Sequence, residues 1–102
     1  MIPYEGRAAV YKAAIEKYGE GAQVRKAIEE MGELIVELSR VAVPPRTTMD
    51  ALVDEIADVT IMMEQLRVIL GANESVQQRI DYKVRRLATR VGVTEIWEVP
   101  HG

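Results

Sequence analysis

The sequence predicts an all-α protein, a compact four-helix bundle that packs into a homo-oligomer. Prolines and glycines divide the 102 residues into four segments. The later three carry apolar residues at the three- and four-residue spacing of an amphipathic helix. No segment shows the sustained alternation that is typical of a β-strand. The length suits a single domain over residues 1–102.

We expect helices over about 4–18, 22–41, 48–70 and 73–91, with an irregular tail over 92–102. Pro3 suits the first turn of the first helix. Gly19 and Gly21 mark the break that precedes the second helix. Pro44 and Pro45 end the second helix because they lack amide donors and clash with the preceding turn.

The third and fourth helices have their own start and stop signals. Thr47, followed three residues later by Asp50, predicts a capping box at the start of the third helix. Gly71 is expected to close it, since glycine adopts the left-handed conformation found at helix ends. Asn73 is a candidate cap for the fourth helix.

Apolar residues surround most of the third helix. One stripe is predicted to be buried: Leu52, Ile56, Val59, Met63, Leu66 and Leu70. Further apolar residues cover much of the remaining circumference: Val53, Ala57, Ile61, Met62, Val68 and Ile69. A chain of this length cannot bury such a helix on all sides by itself, so we expect a homo-oligomer, most simply a dimer.

The composition excludes several classes of site. There is no cysteine, so disulfides and thiolate metal sites are absent, and a cytoplasmic location is expected. The single histidine, His101, lies in the tail, which removes histidine-based general base catalysis. A net charge of −3 argues against nucleic acid as a partner. No apolar stretch approaches the roughly 18 residues of a membrane span.

Acidic residues cluster on one side of the second helix. At about 100° per residue, Glu29, Glu30, Glu33 and Glu37 fall within one sector, beside a sector of apolar residues: Ile28, Met31, Leu34, Ile35 and Leu38. One interpretation is a solvated face with local ion pairs, Lys26 with Glu30 and Glu37 with Arg40. The other is a site for a cation.

The third helix favours the cation. Glu55 and Asp58 lie about 60° apart, and Glu55 projects between apolar residues. A buried carboxylate without a partner costs several kcal/mol, and no lysine or arginine occurs between Arg46 and Arg67. Carboxylate oxygens without histidine or cysteine select a hard ion, Mg²⁺ or, as a substitute, Mn²⁺.

The fourth helix carries a basic stripe beside its apolar one: Arg79, Lys83, Arg86 and Arg90. It is either a solvated face or a clamp for phosphoryl oxygens, to which lysine and arginine donate charge-assisted bonds. An acidic metal site together with a basic stripe suggests metal-assisted phosphoryl chemistry.

The sequence resembles a known family at these positions. "EEMGEL" and "EIAD", with 21 residues between Glu33 and Glu55, are similar to the EExxE…ExxD signature of MazG-like nucleotide pyrophosphohydrolases, which belong to the all-α NTP pyrophosphatase superfamily. The resemblance covers about residues 18–91. It includes "KYGEGAQVRKAIEE" before the acids and "YKVRRLATRVG" in the fourth helix.

The resemblance implies a function and a role for each matching residue. Mg²⁺ would be held by Glu30, Glu33, Glu55 and Asp58. Glu29 would either lie behind these ligands or orient and deprotonate the attacking water. Lys83 and Arg86 would hold the substrate's phosphates. The implied reaction converts a nucleoside triphosphate, NTP or dNTP, to the monophosphate and pyrophosphate. Family members are homodimers or dimer-of-dimers tetramers.

Two alternatives stay open at this point. One is phosphoribosyl-ATP pyrophosphohydrolase, from the same superfamily, and the other is a non-catalytic helical interaction module.

The base preference is not readable from the sequence. Tyr4, Tyr11 and Tyr18 form one face of the first helix, which is either core or a stacking platform. Trp97 either stacks on a base or covers a subunit interface, and Gln23 either reads a base edge or is simply exposed.

Overall fold

A computed structural model describes residues 1–42 and 47–98, and this part of the chain is all-α. Its helices are α1 (Tyr4–Tyr18), α2 (Glu20–Ala42), α3 (Met49–Ile69) and α4 (Asn73–Val91), and it contains no β-strand. The predicted all-α class is therefore confirmed. The chain folds as two compact units, Met1–Gly71 with α1 to α3 and Ala72–Gly102 with α4. The single domain over 1–102 stays a prediction.

Proline and glycine set the bounds of the first helix, as predicted. Pro3 is its N-cap, with φ −68° and ψ 163°, and its carbonyl accepts a bond of 3.0 Å from the Arg7 amide. Gly19 ends the helix at φ +87°, a conformation that side-chain-bearing residues rarely adopt. Because Gly19 alone makes this turn, α2 begins at Glu20, and Gly21, predicted to share the break, lies inside α2.

The cap of α3 lies one residue later than predicted. Thr48 is the N-cap, and its hydroxyl accepts a bond of 3.1 Å from the Ala51 amide. The predicted capping role of Thr47 is wrong, because the Thr47 hydroxyl donates instead to a carboxylate oxygen of Glu37 on α2. Gly71 lies just beyond α3 at φ +60°, as expected.

The predicted cap of α4 is also wrong by one position. Asn73 is the first helical residue, and the N-cap is Ala72, which provides no side-chain cap. The predicted end of α2 at Pro44 and Pro45 lies outside the described residues.

In the first unit, α2 and α3 form the main packing interface, and α1 packs on both of them. The buried apolar side chains of this unit are Tyr11, Ala27 and Met62, and the buried polar ones are Gln23, Glu30 and Gln65. Gln23, for which the sequence left a base-reading or exposed role open, is thus part of the packed interior. Half of these buried side chains are therefore polar or charged.

The face of α3 that turns inward overlaps the predicted stripe only in part, since Leu52, Val59 and Leu66 of that stripe are half-buried. Met62 and Gln65 are buried, whereas Ile56, Met63 and Leu70 of the predicted stripe are exposed. The inward face is displaced from the predicted stripe by less than the roughly 100° of one residue. Apolar residues surround α3, so its own sequence pattern does not select the rotation.

On α2, too, the inward face differs in part from the apolar sector of the sequence pattern. Ala27 and Glu30 face the interior, while Ile28 and Ile35 are 62% and 68% exposed. Glu30 therefore turns towards the interior, while Met31 and Leu34 of the apolar sector are half-buried.

The second unit consists of α4 and the segment that follows it. Gly92 ends α4 at φ +79°, and the Val93 amide donates to the Ala88 carbonyl at 2.9 Å. Glu98 forms an ion pair with Arg85. Ala88 is buried, and Trp97 is 87% exposed. Among the described residues of both units, no helix has the length and apolar character needed to cross a bilayer.

Candidate metal centre

The packing of α2 against α3 brings three carboxylates together. One oxygen from each of Glu30, Glu55 and Asp58 lies within 4.8 Å of the others. Glu30 comes from the buried side of α2. Glu55 and Asp58 are three residues apart and so share a face of α3. The structure thus places acids from both halves of the EExxE…ExxD pattern in one cluster.

Two oxygens of this cluster are buried without a hydrogen-bond partner among the described residues. They are Oε2 of Glu30 and Oε2 of Glu55. The Glu30 side chain is only 9% exposed, and its other oxygen, Oε1, lies 3.1 Å from Nζ of Lys26. Burying an anionic oxygen without a partner is unfavourable. A cation bound between α2 and α3 would remove this cost.

The electrostatics of the cluster also favour a cation. Partial burial raises the pKa of the Glu55 carboxyl, and the negative charges of Glu33, Glu30, Asp58 and Glu37 raise it further. On the other side, the bond to Glu30 raises the pKa of the Lys26 ammonium. Both raised pKa values indicate a negative electrostatic potential at the cluster, because such a potential disfavours a carboxylate and stabilises an ammonium.

The donor set fits a hard divalent ion. All three groups are carboxylates, which suit Mg²⁺ and Mn²⁺. Opposite oxygens of a Mg²⁺ ion are about 4.2 Å apart at the usual ligand distance. The three oxygens of the cluster, all within 4.8 Å of one another, are close enough together for one ion to contact them all.

An open cleft of about 630 Å³ extends from this cluster along α2. Its lining includes Glu29, Glu33, Glu37 and Arg40 from α2 and Glu55 from α3. Glu33, predicted as a fourth ligand, is exposed and lies outside the cluster of three. It lines the cleft with Glu29, the predicted water-activating residue, and it contributes to the raised pKa of Glu55.

Glu37 differs from the other acids because both of its oxygens have partners. Oε1 accepts a bond of 2.9 Å from Nη1 of Arg40, and Oε2 accepts the Thr47 hydroxyl. The two ion pairs suggested for a solvated face, Lys26–Glu30 and Glu37–Arg40, are both present. These ion pairs offset the negative charges of Glu30 and Glu37. They leave Oε2 of Glu30 and Oε2 of Glu55 without partners among the described residues.

The residues predicted to bind phosphate lie in the second unit. Lys83 and Arg86 are exposed on α4. The guanidinium groups of Arg79 and Arg86 lie 4.7 and 5.9 Å from the centre of the Tyr82 ring. This stacking orders part of the basic stripe through cation–π attraction.

Sequence reasoning missed a polar network between α1 and α3. Arg7 binds both carboxylate oxygens of Glu64, with Nε to Oε2 at 3.0 Å and Nη2 to Oε1 at 3.1 Å. The buried Tyr11 hydroxyl donates to the same carboxylate at 2.6 Å. Tyr18, predicted on the same face as Tyr11, is exposed. The only available signal was the tyrosine row, since Glu64 lies 53 residues from Tyr11.

Comparisons with protein-family models, curated proteins and solved structures find no match to this chain.

Proposed function

We propose that this protein is a metal-dependent nucleoside triphosphate pyrophosphohydrolase of the MazG-like type. The observation that carries the proposal is the convergence of Glu30, Glu55 and Asp58, with two buried oxygens that lack a protein partner. These acids come from the EExxE and ExxD segments on two packed helices. A purely solvated acidic face would not place carboxylate oxygens in the interface between α2 and α3.

In this proposal Glu30, Glu55 and Asp58 hold the ion, and Glu33 joins them from the edge of the cleft. The ion supplies neutralisation of the substrate's phosphates and Lewis-acid activation when bound. Glu29 is exposed and lines the cleft, so its carboxylate is accessible to a water molecule and to the proton that the water loses on attack.

The substrate's charge requires cations from the protein as well. Lys83 and Arg86 are the residues proposed to donate to the phosphoryl oxygens, through charge-assisted hydrogen bonds. Their exposure on α4 leaves their donors accessible to a ligand.

A homo-oligomer, either a homodimer or a dimer-of-dimers tetramer, completes the proposal. Its support is the set of large apolar side chains that stay exposed on the packed helices: Ile28, Ile35, Leu38, Val53, Ile56 and Met63. Monomers seldom leave large contiguous apolar patches exposed. A second copy of the chain would cover such side chains.

The direct test measures pyrophosphate release from a panel of NTPs and dNTPs in Mg²⁺, in Mn²⁺ and in EDTA. We expect metal-dependent release that Glu55→Gln and Asp58→Asn abolish, with the oligomer intact by light scattering. Asp54→Asn is the matched control, because Asp54 precedes Glu55, is exposed and lies outside the cluster. Lys83→Ala is expected chiefly to raise KM.

Two outcomes would contradict the proposal. Full activity in both Glu55→Gln and Asp58→Asn would remove the metal-site assignment. A lack of release across the whole panel would favour phosphoribosyl-ATP as the substrate or a non-catalytic helical module, and turnover of phosphoribosyl-ATP separates these two.

A further inference from the structure

One basic side chain of the first unit lines the acidic cleft. Arg40 shares the cleft with Glu29, Glu33, Glu37 and Glu55. It lies 11 positions after Glu29, which at about 100° per residue places the two only about 20° apart around α2. Arg40 thus projects from the same face as the acids, roughly 10 Å along the axis from Glu33.

Glu37 fixes the position of this arginine. Its Oε1 accepts from Nη1 of Arg40 at 2.9 Å, and its Oε2 accepts the Thr47 hydroxyl from the residue before the α3 cap. The Glu37 side chain is 16% exposed and that of Arg40 is 52% exposed. The carboxylate is therefore held between two partners, and the guanidinium is held at one nitrogen while much of its surface remains accessible.

The geometry leaves donors available on Arg40. A guanidinium has five N–H groups in a planar fork, and the bond to Glu37 uses a donor on one nitrogen. Arginine stays charged at all accessible pH values and matches phosphoryl oxygens geometrically. A cleft lined by several carboxylates repels an anionic substrate, and a fixed positive charge at one end offsets part of that repulsion.

We infer that Arg40 binds a phosphoryl oxygen of the substrate, with Glu37 as the residue that positions it. This rests on the proposed function, since it requires a nucleoside triphosphate in the cleft. It also assigns Glu37 a role different from that of its neighbours on α2. Glu37 lies outside the metal cluster, and both of its oxygens have partners, Arg40 and Thr47.

The test measures two dissociation constants separately by calorimetry, one for Mn²⁺ alone and one for an α,β-methylene NTP analogue in saturating Mn²⁺. We expect Arg40→Gln to weaken analogue binding at least about tenfold, the loss of one charge-assisted bond. Mn²⁺ binding should stay equal to wild type or become tighter. Arg40→Lys should restore part of the analogue affinity by restoring the charge. The matched control is Lys12→Gln, which removes one exposed positive charge from α1 in the same unit.

Glu37→Gln tests the positioning role through kinetics. We expect a raised KM with little change in kcat, because the amide holds the guanidinium more weakly but leaves the metal cluster intact. A fall in kcat with unchanged KM would contradict the positioning role.

The remaining outcomes separate this inference from the proposed function. Equal analogue affinity in Arg40→Gln and wild type would overturn the role of Arg40 and leave the proposed function standing. Loss of Mn²⁺ binding in Arg40→Gln would overturn it too, by showing that Arg40 supports the fold of the cleft. Wild-type protein that binds Mn²⁺ but no triphosphate analogue would overturn both.

Discussion

The substitution Glu55→Gln should have opposite effects on the metal-free protein and on metal binding. In the wild type, burial and neighbouring charges raise the pKa of Glu55. A raised pKa means that the folded chain binds a proton more tightly than the unfolded chain, so ionised Glu55 opposes folding at neutral pH. We expect metal-free Glu55→Gln to unfold at a higher temperature than metal-free wild type at pH 7. The difference should vanish below the ordinary carboxyl value of 4.5, where both states hold the proton.

Metal reverses the order of the two proteins. An ion present at 100 times its Kd stabilises the folded state by about 2.7 kcal/mol, which raises Tm by roughly 10–20 °C in a domain of this size. Glu55 supplies one of the three oxygens of the cluster. Losing a residue that only orients a ligand already costs about 10- to 100-fold in affinity. A 100-fold weaker site at the same Mn²⁺ concentration leaves about 0.4 kcal/mol, or roughly 2–3 °C.

The assay is thermal unfolding, followed by circular dichroism, of EDTA-treated protein titrated with Mn²⁺. Wild type and the Asp54→Asn control should show the large shift, and Glu55→Gln the small one. Equal Mn²⁺-induced shifts in wild type and Glu55→Gln would refute the assignment of the centre. A metal-free Glu55→Gln protein that is less stable than wild type at pH 7 would refute the electrostatic reasoning.

Three further predictions concern the groups around the site and the packing of α1. Lys26→Met should tighten Mn²⁺ binding by roughly two- to fivefold, because Lys26 competes with the ion for Glu30; weaker binding by calorimetry would contradict this. Tyr11→Phe should lower the free energy of unfolding by about 1–2 kcal/mol in denaturant titrations, because it loses the hydrogen bond to Glu64. The control Tyr18→Phe, at an exposed position, should leave the free energy of unfolding unchanged. Arg7 holds the pKa of the Glu64 carboxyl below its usual range, so Glu64 stabilises the fold above the ordinary carboxyl pKa and loses this effect as pH falls through its lowered value. The Tm difference between wild type and Glu64→Gln should accordingly be large at pH 7 and shrink in acid, and a pH-independent difference would count against the ion pair.

Local sequence signals predict most of the helix bounds. Pro3, Gly19 and Gly71 act through local backbone geometry, so the bounds they predict hold in the structure. The cap of α3 was misplaced because Thr47 and Thr48 are both suitable caps. A contact with Glu37, 10 positions earlier in the chain, decided between them.

The sequence also placed the acids correctly on their helices, because residues three and four apart share a face whatever surrounds the helix. That local rule puts Glu55 beside Asp58 and predicts the pairs Lys26–Glu30 and Glu37–Arg40.

The rotation of each helix about its own axis, by contrast, depends on tertiary contacts. Periodicity gives angles between residues within one helix, and the absolute rotation depends on contacts with its neighbours. Apolar side chains surround α3, so several of its rotations bury similar apolar area. On α2, which has a distinct apolar sector, burial of that sector alone would not turn Glu30 inward. The observed packing turns Glu30 inward and leaves Ile28 and Ile35 exposed. It is this rotation that creates the three-carboxylate cluster between α2 and α3.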